Sequence, residues 1–372
     1  MRFPVLLLAF ALALPLSPAA AGLPINVVQV ADLSGPNGDT GRDFVTGAQV
    51  YLDQFNERGG LAGRPVKLLV ADDRGEPANT VRLSRQLTAQ YKPVALFGYL
   101  GADNVRAVLA DKQLAELATP LVAPYVGIDL GHAPFGNAPL YYLRADSSAE
   151  IAKISRIAGA SGLKRIALVA GDDALGRAAA GGIAAQLNDN GLRLAGQITL
   201  SSQANMAQAV EQLAASQPQA VILAAPTISS AAFVQAYQRK HPGTPFYALS
   251  WINPQTLQEF LGSEAVRWVA VSALVPSPYN PTSAVAREFL GALKKYRDEP
   301  ASFASMEGYM AARLLVEGLQ AAGSVSPLAL RRALDDFRSD MGGVPLRLDG
   351  KTRRASRYVE MAVFSSGGKL VN

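Results

Sequence analysis

Side chains able to do chemistry are few in this 372-residue chain, and they are badly spaced for catalysis. There is no cysteine, which removes a thiolate nucleophile, a disulfide framework, a cysteine-bearing zinc site, an iron–sulfur cluster and a lipidated N-terminal cysteine. The two histidines, His132 and His241, lie far apart and in no metal-binding spacing. Carboxylates come in two adjacent pairs, Asp72-Asp73 and Asp172-Asp173. Neighbours on an extended chain point opposite ways, so neither pair is a ready acid and base. Asp72-Asp73 reads instead as a turn former ahead of a helix at Glu76, and Asp173 as the cap of a helix beginning at Ala174. Gly98-Tyr-Leu-Gly101 lacks the third glycine of a dinucleotide loop, and the chain has neither a phosphate-cradling loop nor a serine nucleophile elbow. Reversible binding without turnover, and without metal or cofactor, is the expectation.

The elements that must position any binding loop follow from hydrophobic period. Short continuous apolar runs predict strands at Ile25 to Val30, Pro65 to Ala71, Pro93 to Phe97, Pro120 to Ala123 and Leu140 to Leu143. Helical spacing predicts helices at Asp43 to Arg58, Glu76 to Tyr91 and Asn104 to Leu117 between them. The alternation restarts with predicted helices at Ala149 to Ala160, Ala174 to Asn188, Met206 to Ala215 and Ser229 to Arg239. Predicted strands lie at Arg165 to Ala170, Leu192 to Leu200, Ala220 to Ala224, Phe246 to Leu249 and Trp268 to Ala273. Such alternation implies parallel sheets covered on both faces, in two α/β lobes. Three further helices, near Ser283 to Tyr296, Ser305 to Ala322 and Pro327 to Phe337, exceed what the second lobe needs. A return to the first lobe near Pro276-Ser277-Pro278 is therefore expected. A last pair of strands, Pro345 to Leu348 and Tyr358 to Phe364, closes the chain.

Parallel sheets bind ligands at the carboxyl ends of their strands. The loops there offer backbone amides at helix starts and a few hydroxyls and aromatics: Ala102-Asp103, Tyr125-Val126-Gly127, Ser147-Ser148, Thr227 and Ser250-Trp251. Amides at helix starts suit a carboxylate, and an aromatic suits an apolar ligand body.

The first residues read as an address. Arg2, the apolar run Val5 to Leu14, Pro15, Pro18 and the small residues Ala19 to Ala21 have the order of a secretory signal peptide, with cleavage expected after Ala21. The apolar run is too short for a membrane anchor. The rest of the chain should be soluble, exported and free of membrane insertion. The net charge of +5 is mild. The basic cluster Lys351, Arg353, Arg354 and Arg357 follows the turn dipeptide Asp349-Gly350 and reads as a solvated turn, with no nucleic-acid partner implied.

With these loops in hand, the chain resembles the leucine/isoleucine/valine-binding branch of the type I periplasmic binding proteins of ABC importers. The segments that carry the resemblance are Leu33-Ser-Gly-Pro36, Thr46-Gly-Ala48, Asn56-Glu-Arg-Gly-Gly-Leu-Ala-Gly63, Ala71-Asp-Asp73 and Phe97-Gly-Tyr-Leu-Gly101. They continue with Thr119-Pro-Leu-Val-Ala-Pro124, Leu143-Arg-Ala145, Asp172-Asp-Ala-Leu-Gly176 and Met306-Glu-Gly-Tyr-Met-Ala-Ala312. The resemblance implies two Rossmann-like lobes with parallel sheets joined by three crossovers, and a ligand in the cleft between them. Lobe one would comprise 22–144 with 277–358, and lobe two 145–276 with 359–372. The ligand-contacting loops of the family fall on Thr40, Ala102, Asp103, Tyr125, Val126, Gly127, Ser147, Leu175, Pro226 or Thr227, Ser250 and Trp251. Ala102 and Gly127 stand where hydroxyls are usual, Leu175 where an aromatic is usual, and Ser250 where an acid commonly pairs an α-ammonium. Asp103 is the one acid the sequence places near the cleft, unless it serves as the helix cap before Asn104. Trp251 is either a cleft residue or a core residue of lobe two.

The resemblance implies a periplasmic solute-binding protein of a branched-chain-amino-acid-type importer, with an inner-membrane ABC permease as partner and an amino acid or small carboxylate as ligand. The low charge of the loops favours a carboxylate with an apolar or aromatic body. A ligand-sensing subunit that presents its closed form to a membrane receptor is the alternative; a hydrolase or isomerase is disfavoured by the missing nucleophile and base.

Overall fold

Val27, Val28 and Val30 are fully buried in the first strand, Ile25–Ala31 (β1), and the chain turns from it into the helix Gly38–Glu57 (α1). The computed structural model describes residues 22–130, 138–201, 205–348 and 352–371. The expected signal peptide, His132 and the expected turn at Asp349-Gly350 with Lys351 lie outside the described residues. The first run continues through Val66–Asp72 (β2), Pro77–Tyr91 (α2), Ala95–Phe97 (β3), Ala102–Ala110 (α3), Lys112–Leu117 (α4), Leu121–Val122 (β4) and Leu140–Tyr141 (β5). These five strands form one parallel sheet in the order β2-β1-β3-β4-β5.

The second run is Ser147–Ala160 (α5), Arg165–Gly171 (β6), Ala174–Asn188 (α6), Arg193–Leu200 (β7), Met206–Ala214 (α7), Ala220–Ala224 (β8), Thr227–Lys240 (α8), Phe246–Ala248 (β9), Pro254–Val266 (α9) and Val269–Ala273 (β10). Its strands are parallel in the order β7-β6-β8-β9-β10, the same permutation as the first sheet. The helices Ala284–Tyr296 (α10), Phe303–Ala321 (α11) and Pro327–Leu334 (α12) follow, then Arg338–Asp340 (β11), Pro345–Arg347 (β12), Glu360–Phe364 (β13) and Leu370–Val371 (β14).

The chain returns to the first lobe after β10, because Phe289, Tyr309, Leu315 and Leu330 of α10 to α12 share one core with Ile25, Phe44 and Phe97. Helices α1 and α11 cross so closely that a Cβ on Gly308 would lie 2.0 Å from the Phe44 carbonyl oxygen; only glycine permits that approach. Lobe two has its own core, with Val169, Leu223, Phe233, Phe246 and Val271 joined by Phe364 of β13. Among the described residues three crossovers link the lobes. The first and third pair with each other: Tyr142 N donates to Arg353 O (2.8 Å), Ala355 N to Tyr142 O (2.9 Å) and Ser356 N to Leu143 O (2.9 Å).

Several sequence expectations are corrected here. Helix α1 begins five residues before Asp43, because the buried Asp32 carboxylate accepts from Gly35 N (2.6 Å) and Asn37 N (2.9 Å) and folds the loop directly into the helix. The helix expected over Asn104 to Leu117 is two helices, split at Asp111, whose carboxylate caps α4 by accepting from Leu114 N (3.0 Å). Helix α9 was not expected at all. Its start is set by Asn253, which accepts from Gln255 N (3.0 Å) and Thr256 N (3.1 Å) ahead of Pro254, and Gly262 breaks its helical geometry. The two C-terminal strands do not pair with each other. β12 pairs with β11, whereas β13 joins β10 antiparallel and carries β14 at the sheet edge. Nor are Arg353 and Arg354 a solvated turn: Arg354 is largely buried, donates to the Arg144 carbonyl (2.6 Å) and lies over the Tyr142 ring, while Arg353 lies over the Tyr141 ring. Crossover strands packed on tyrosines bury their arginine stems.

Candidate functional site

In each sheet the strand order reverses beside the first strand, at β1/β3 and at β6/β8, and ligands of such sheets bind at these switch points. The starts of α1, α2 and α3 from lobe one and of α6 and α8 from lobe two line one cavity of about 410 Å³ there. Carboxylates fix the lobe-one loops. Asp72 accepts from Leu33 N (3.0 Å) and Arg74 N (2.9 Å), so the loops after β1 and β2 are joined. Asp73 accepts from Gly75 N (2.8 Å), Thr80 Oγ1 (2.6 Å) and Asn104 Nδ2 (3.1 Å), which fixes α3 to the same frame; burial raises its pKa. In lobe two Asp173 caps α6 by accepting from Gly176 N (2.7 Å). The adjacent aspartates thus organise turns, as expected from their spacing.

Helices α1, α2, α3 and α8 begin without a side-chain cap, whereas α4, α5, α7 and α9 to α12 are all capped by Asp, Asn or Ser. The four uncapped starts are on the cavity wall; Pro77 at the start of α2 carries no N–H and Gly38 N of α1 donates to Gly35 O (3.1 Å), so the first amides open to an anion are those of α3 and α8.

Of the residues singled out in the sequence, Thr40, Ala102, Asp103, Tyr125, Gly127, Leu175, Thr227 and Trp251 line the cavity, with Pro226 beside them. Three do not. Val126 is buried behind the wall with Val105 and Ile128. Ser147 is buried at the start of α5, its amide donating to Gly127 O (2.8 Å). Ser250 lines a smaller adjoining cavity and is hydrogen-bonded to a buried glutamate. Asp103 is not a helix cap. Gly101 takes that position, and Asp103 in the first turn pairs with Arg106 (2.8 Å). Trp251 combines both expected roles: half-buried against the lobe-two core, it also reaches across the cleft. A Cβ on Gly127 would sit 2.8 Å from its Cε3 and 3.4 Å from Leu175 Cδ2, so the glycine is what lets the indole close onto lobe one.

The sequence reading missed the charges under the cleft. Arg144, at the first crossover, lines the cavity while only 1% exposed. Its Nη2 donates to Ser250 Oγ (2.6 Å), its Nε lies 3.5 Å from Glu307 Oε1, and its guanidinium carbon is 4.0 Å from the centroid of the Tyr125 ring. Glu150, also fully buried, accepts from Ser250 N (2.7 Å), Ser250 Oγ (3.0 Å) and Ser272 Oγ. Asp103 is therefore not alone near the cleft. Burial pushes the carboxyls of Glu150 and Glu307 up, against the lowering effect of Arg144. For Arg144 burial works against its charge, and the neighbouring Glu307, Tyr125 and Glu150 outweigh it. Burial also drives the Tyr125 phenol up to about 12. A signal existed: an arginine directly after the apolar run Leu140 to Leu143, and a glutamate on the apolar face of a helix, both need buried partners.

A family model described as periplasmic binding protein matches residues 24–369. The chain belongs to that family. Its members are solute-binding proteins that bind small molecules such as amino acids and work with ABC transporters. Among solved structures, a substrate-binding periplasmic protein from Ralstonia solanacearum is 30% identical with a TM-score of 0.83, covering 93% of this chain and 99% of that one. A branched-chain amino acid ABC transporter protein from Thermus thermophilus with bound valine shares the fold at 16% identity and a TM-score of 0.80, over 94% of both chains. The Leu/Ile/Val-binding protein BraC3 of Rhizobium johnstonii is 29% identical over 170 residues, 45% of this chain and 45% of BraC3. The chain thus spans under half the length of the curated relatives it matches. No helix among the described residues is long and apolar enough to cross a membrane.

Proposed function

We propose that this periplasmic binding protein captures a small organic solute, an amino acid or small carboxylate, between its lobes and hands it to an inner-membrane importer of the branched-chain-amino-acid type. The observation that carries the reading is a cavity shared by both switch points, walled by uncapped helix starts and by aromatic and aliphatic side chains from two lobes. Hinged lobes suit capture and release, because only a closed arrangement lets both walls touch one ligand. The family's small-molecule binding and the Leu/Ile/Val and valine named for two of its relatives support the ligand class. Export follows from the N-terminal sequence, with the mature chain starting at Gly22.

The test is a thermal-shift screen of the mature chain against amino acids and short organic acids, with small-angle scattering on every hit. A ligand at about 100 times its Kd should stabilise by roughly 2.7 kcal/mol and make the particle more compact. A hit converted to product, or bound without any compaction, overturns the reading.

A further inference from the structure

We propose that Arg144 is the anion receptor of the cleft and that the ligand is a carboxylic acid with an apolar body and no α-ammonium group. The inference rests on the solute-capture reading and names the substrate class of that cavity.

The guanidinium is a fork of five donors and it is incompletely used. Nη2 is taken by Ser250 Oγ, and Nε has only the 3.5 Å approach of Glu307. Among the described residues neither Nε nor Nη1 makes a hydrogen bond, although both atoms are wholly shielded from solvent. A buried donor without an acceptor is unfavourable, and a planar carboxylate is the acceptor that matches this fork. Glu150 does not serve that purpose, since Ser250 N, Ser250 Oγ and Ser272 Oγ occupy it. The uncapped start of α3 lies beside the same floor: Gly101 N donates to Tyr125 O (3.3 Å), and Tyr125 covers the guanidinium.

An α-ammonium finds no equivalent. Among the described residues the acids on the cavity wall are Asp103 and Asp173. The first is paired with Arg106, and the second accepts from the α6 backbone. Ser250 is turned into the Glu150 cluster. A cation desolvated here without a free acid is penalised, whereas a carboxylate meets both the arginine and free amides. Leu175, Ile228, Pro226 and Trp251 give the ligand body an apolar wall.

Matched pairs test this by calorimetry on the mature chain: 4-methyl-2-oxopentanoate against leucine, and 3-phenylpropanoate against phenylalanine. The acids without the amine should bind at least about tenfold tighter than their amino partners, and their methyl esters should lose roughly a hundredfold or more. Arg144→Lys, which keeps the charge and loses the fork, should weaken the better acid by about tenfold. If that variant fails to fold, the matched pairs on the unaltered chain still decide the matter. Leucine or phenylalanine binding as tightly as its partner, esters binding as tightly as acids, unchanged affinity in a folded Arg144→Lys, or no heat from either acid at millimolar concentration each overturns the proposal. A different solute that binds and compacts the chain would leave solute capture standing while the arginine assignment falls.

Discussion

The two lobes share one strand permutation yet present different chemistry to the cleft. Lobe one offers the amides at the uncapped start of α3, and α1 and α2 also begin on the wall without side-chain caps. Lobe two has most of its polar groups engaged, the uncapped start of α8 excepted. Asp173 caps α6, Thr227 Oγ1 accepts from Asn253 N (3.1 Å), and what remains toward the cavity is Ala174, Leu175, Pro226, Ile228 and Trp251. Topology therefore decides where a ligand site forms, and loop residues decide what each half contributes. In this chain one half is built to hold a polar head and the other to cover an apolar body, with Arg144 at the junction.

The largest effect is expected at that junction. Arg144→Met leaves Glu150 and Glu307 buried without their cation, and should lower folding stability by about 3–5 kcal/mol, read from urea unfolding at pH 7. The pH dependence sharpens the point. Both carboxyls are raised in the folded state, so the native protein holds more protons than the unfolded chain just above the ordinary glutamate range. Their contribution to stability should fall as pH rises through the raised values, and the Arg144→Met deficit should shrink as pH is lowered. A deficit independent of pH would mean that the arginine acts only by filling space.

The lid is tested next. Trp251 is half-buried, so Trp251→Ala should lower stability by roughly 2 kcal/mol, less than the ~3–5 kcal/mol of a wholly buried tryptophan, while removing most of the ligand-induced shift. A large apo destabilisation with an undiminished ligand shift would assign the indole to the lobe-two core. Gly127→Ala attacks the same contact from the opposite lobe. The added methyl meets the indole at 2.8 Å, and overpacking of this kind typically costs about 1–3 kcal/mol. Because the lobes can part, the expected outcome is about 1 kcal/mol at most in melting stability, with a more open particle by scattering and weaker ligand binding.

How much of this was legible beforehand follows from which signals are local. Hydrophobic period placed nearly every parallel strand, since strands buried on both faces are continuous apolar runs such as Ala220–Ala224. Asp173 was readable as a cap because a cap acts within three residues. Helix α9 was missed because its start depends on Asn253 and Pro254 rather than on a strong apolar stripe, and β11 because three polar residues, the outer two exposed, carry no apolar pattern. The pairing of β13 with β10 joins segments nearly ninety residues apart, and no local period encodes it. The same limit hid the floor of the cleft. Arg144, Glu150, Ser250, Ser272 and Glu307 come together from the first crossover, α5, the loop after β9, β10 and α11, and only the closed topology of two lobes makes them neighbours. Ser147 and Val126 were assigned to the wall from their loops alone, whereas the backbone bond from Ser147 N to Gly127 O draws the former into the interior.

The smallest effect discriminates most finely between the lobes' roles. Asp103 is half exposed on the cavity wall and paired with Arg106 one turn along α3, so its removal should barely alter stability: Asp103→Asn should change it by less than about 0.5 kcal/mol. Its influence on binding depends on the ligand's charge. If lobe one holds a carboxylate, the aspartate at the start of α3 repels it through water-screened space. Asp103→Asn should then tighten 4-methyl-2-oxopentanoate by about two- to threefold at low salt, the gain vanishing near 1 M salt as the Debye length contracts to about 3 Å. If the cleft instead takes an amino acid, Asp103 is the acid on this wall able to meet the α-ammonium, and the same variant should weaken leucine by about tenfold or more. Titrating both compounds into both proteins at two salt concentrations gives opposite signs for the two cases, and a weakening of leucine in Asp103→Asn would reverse the division of labour between the lobes argued above.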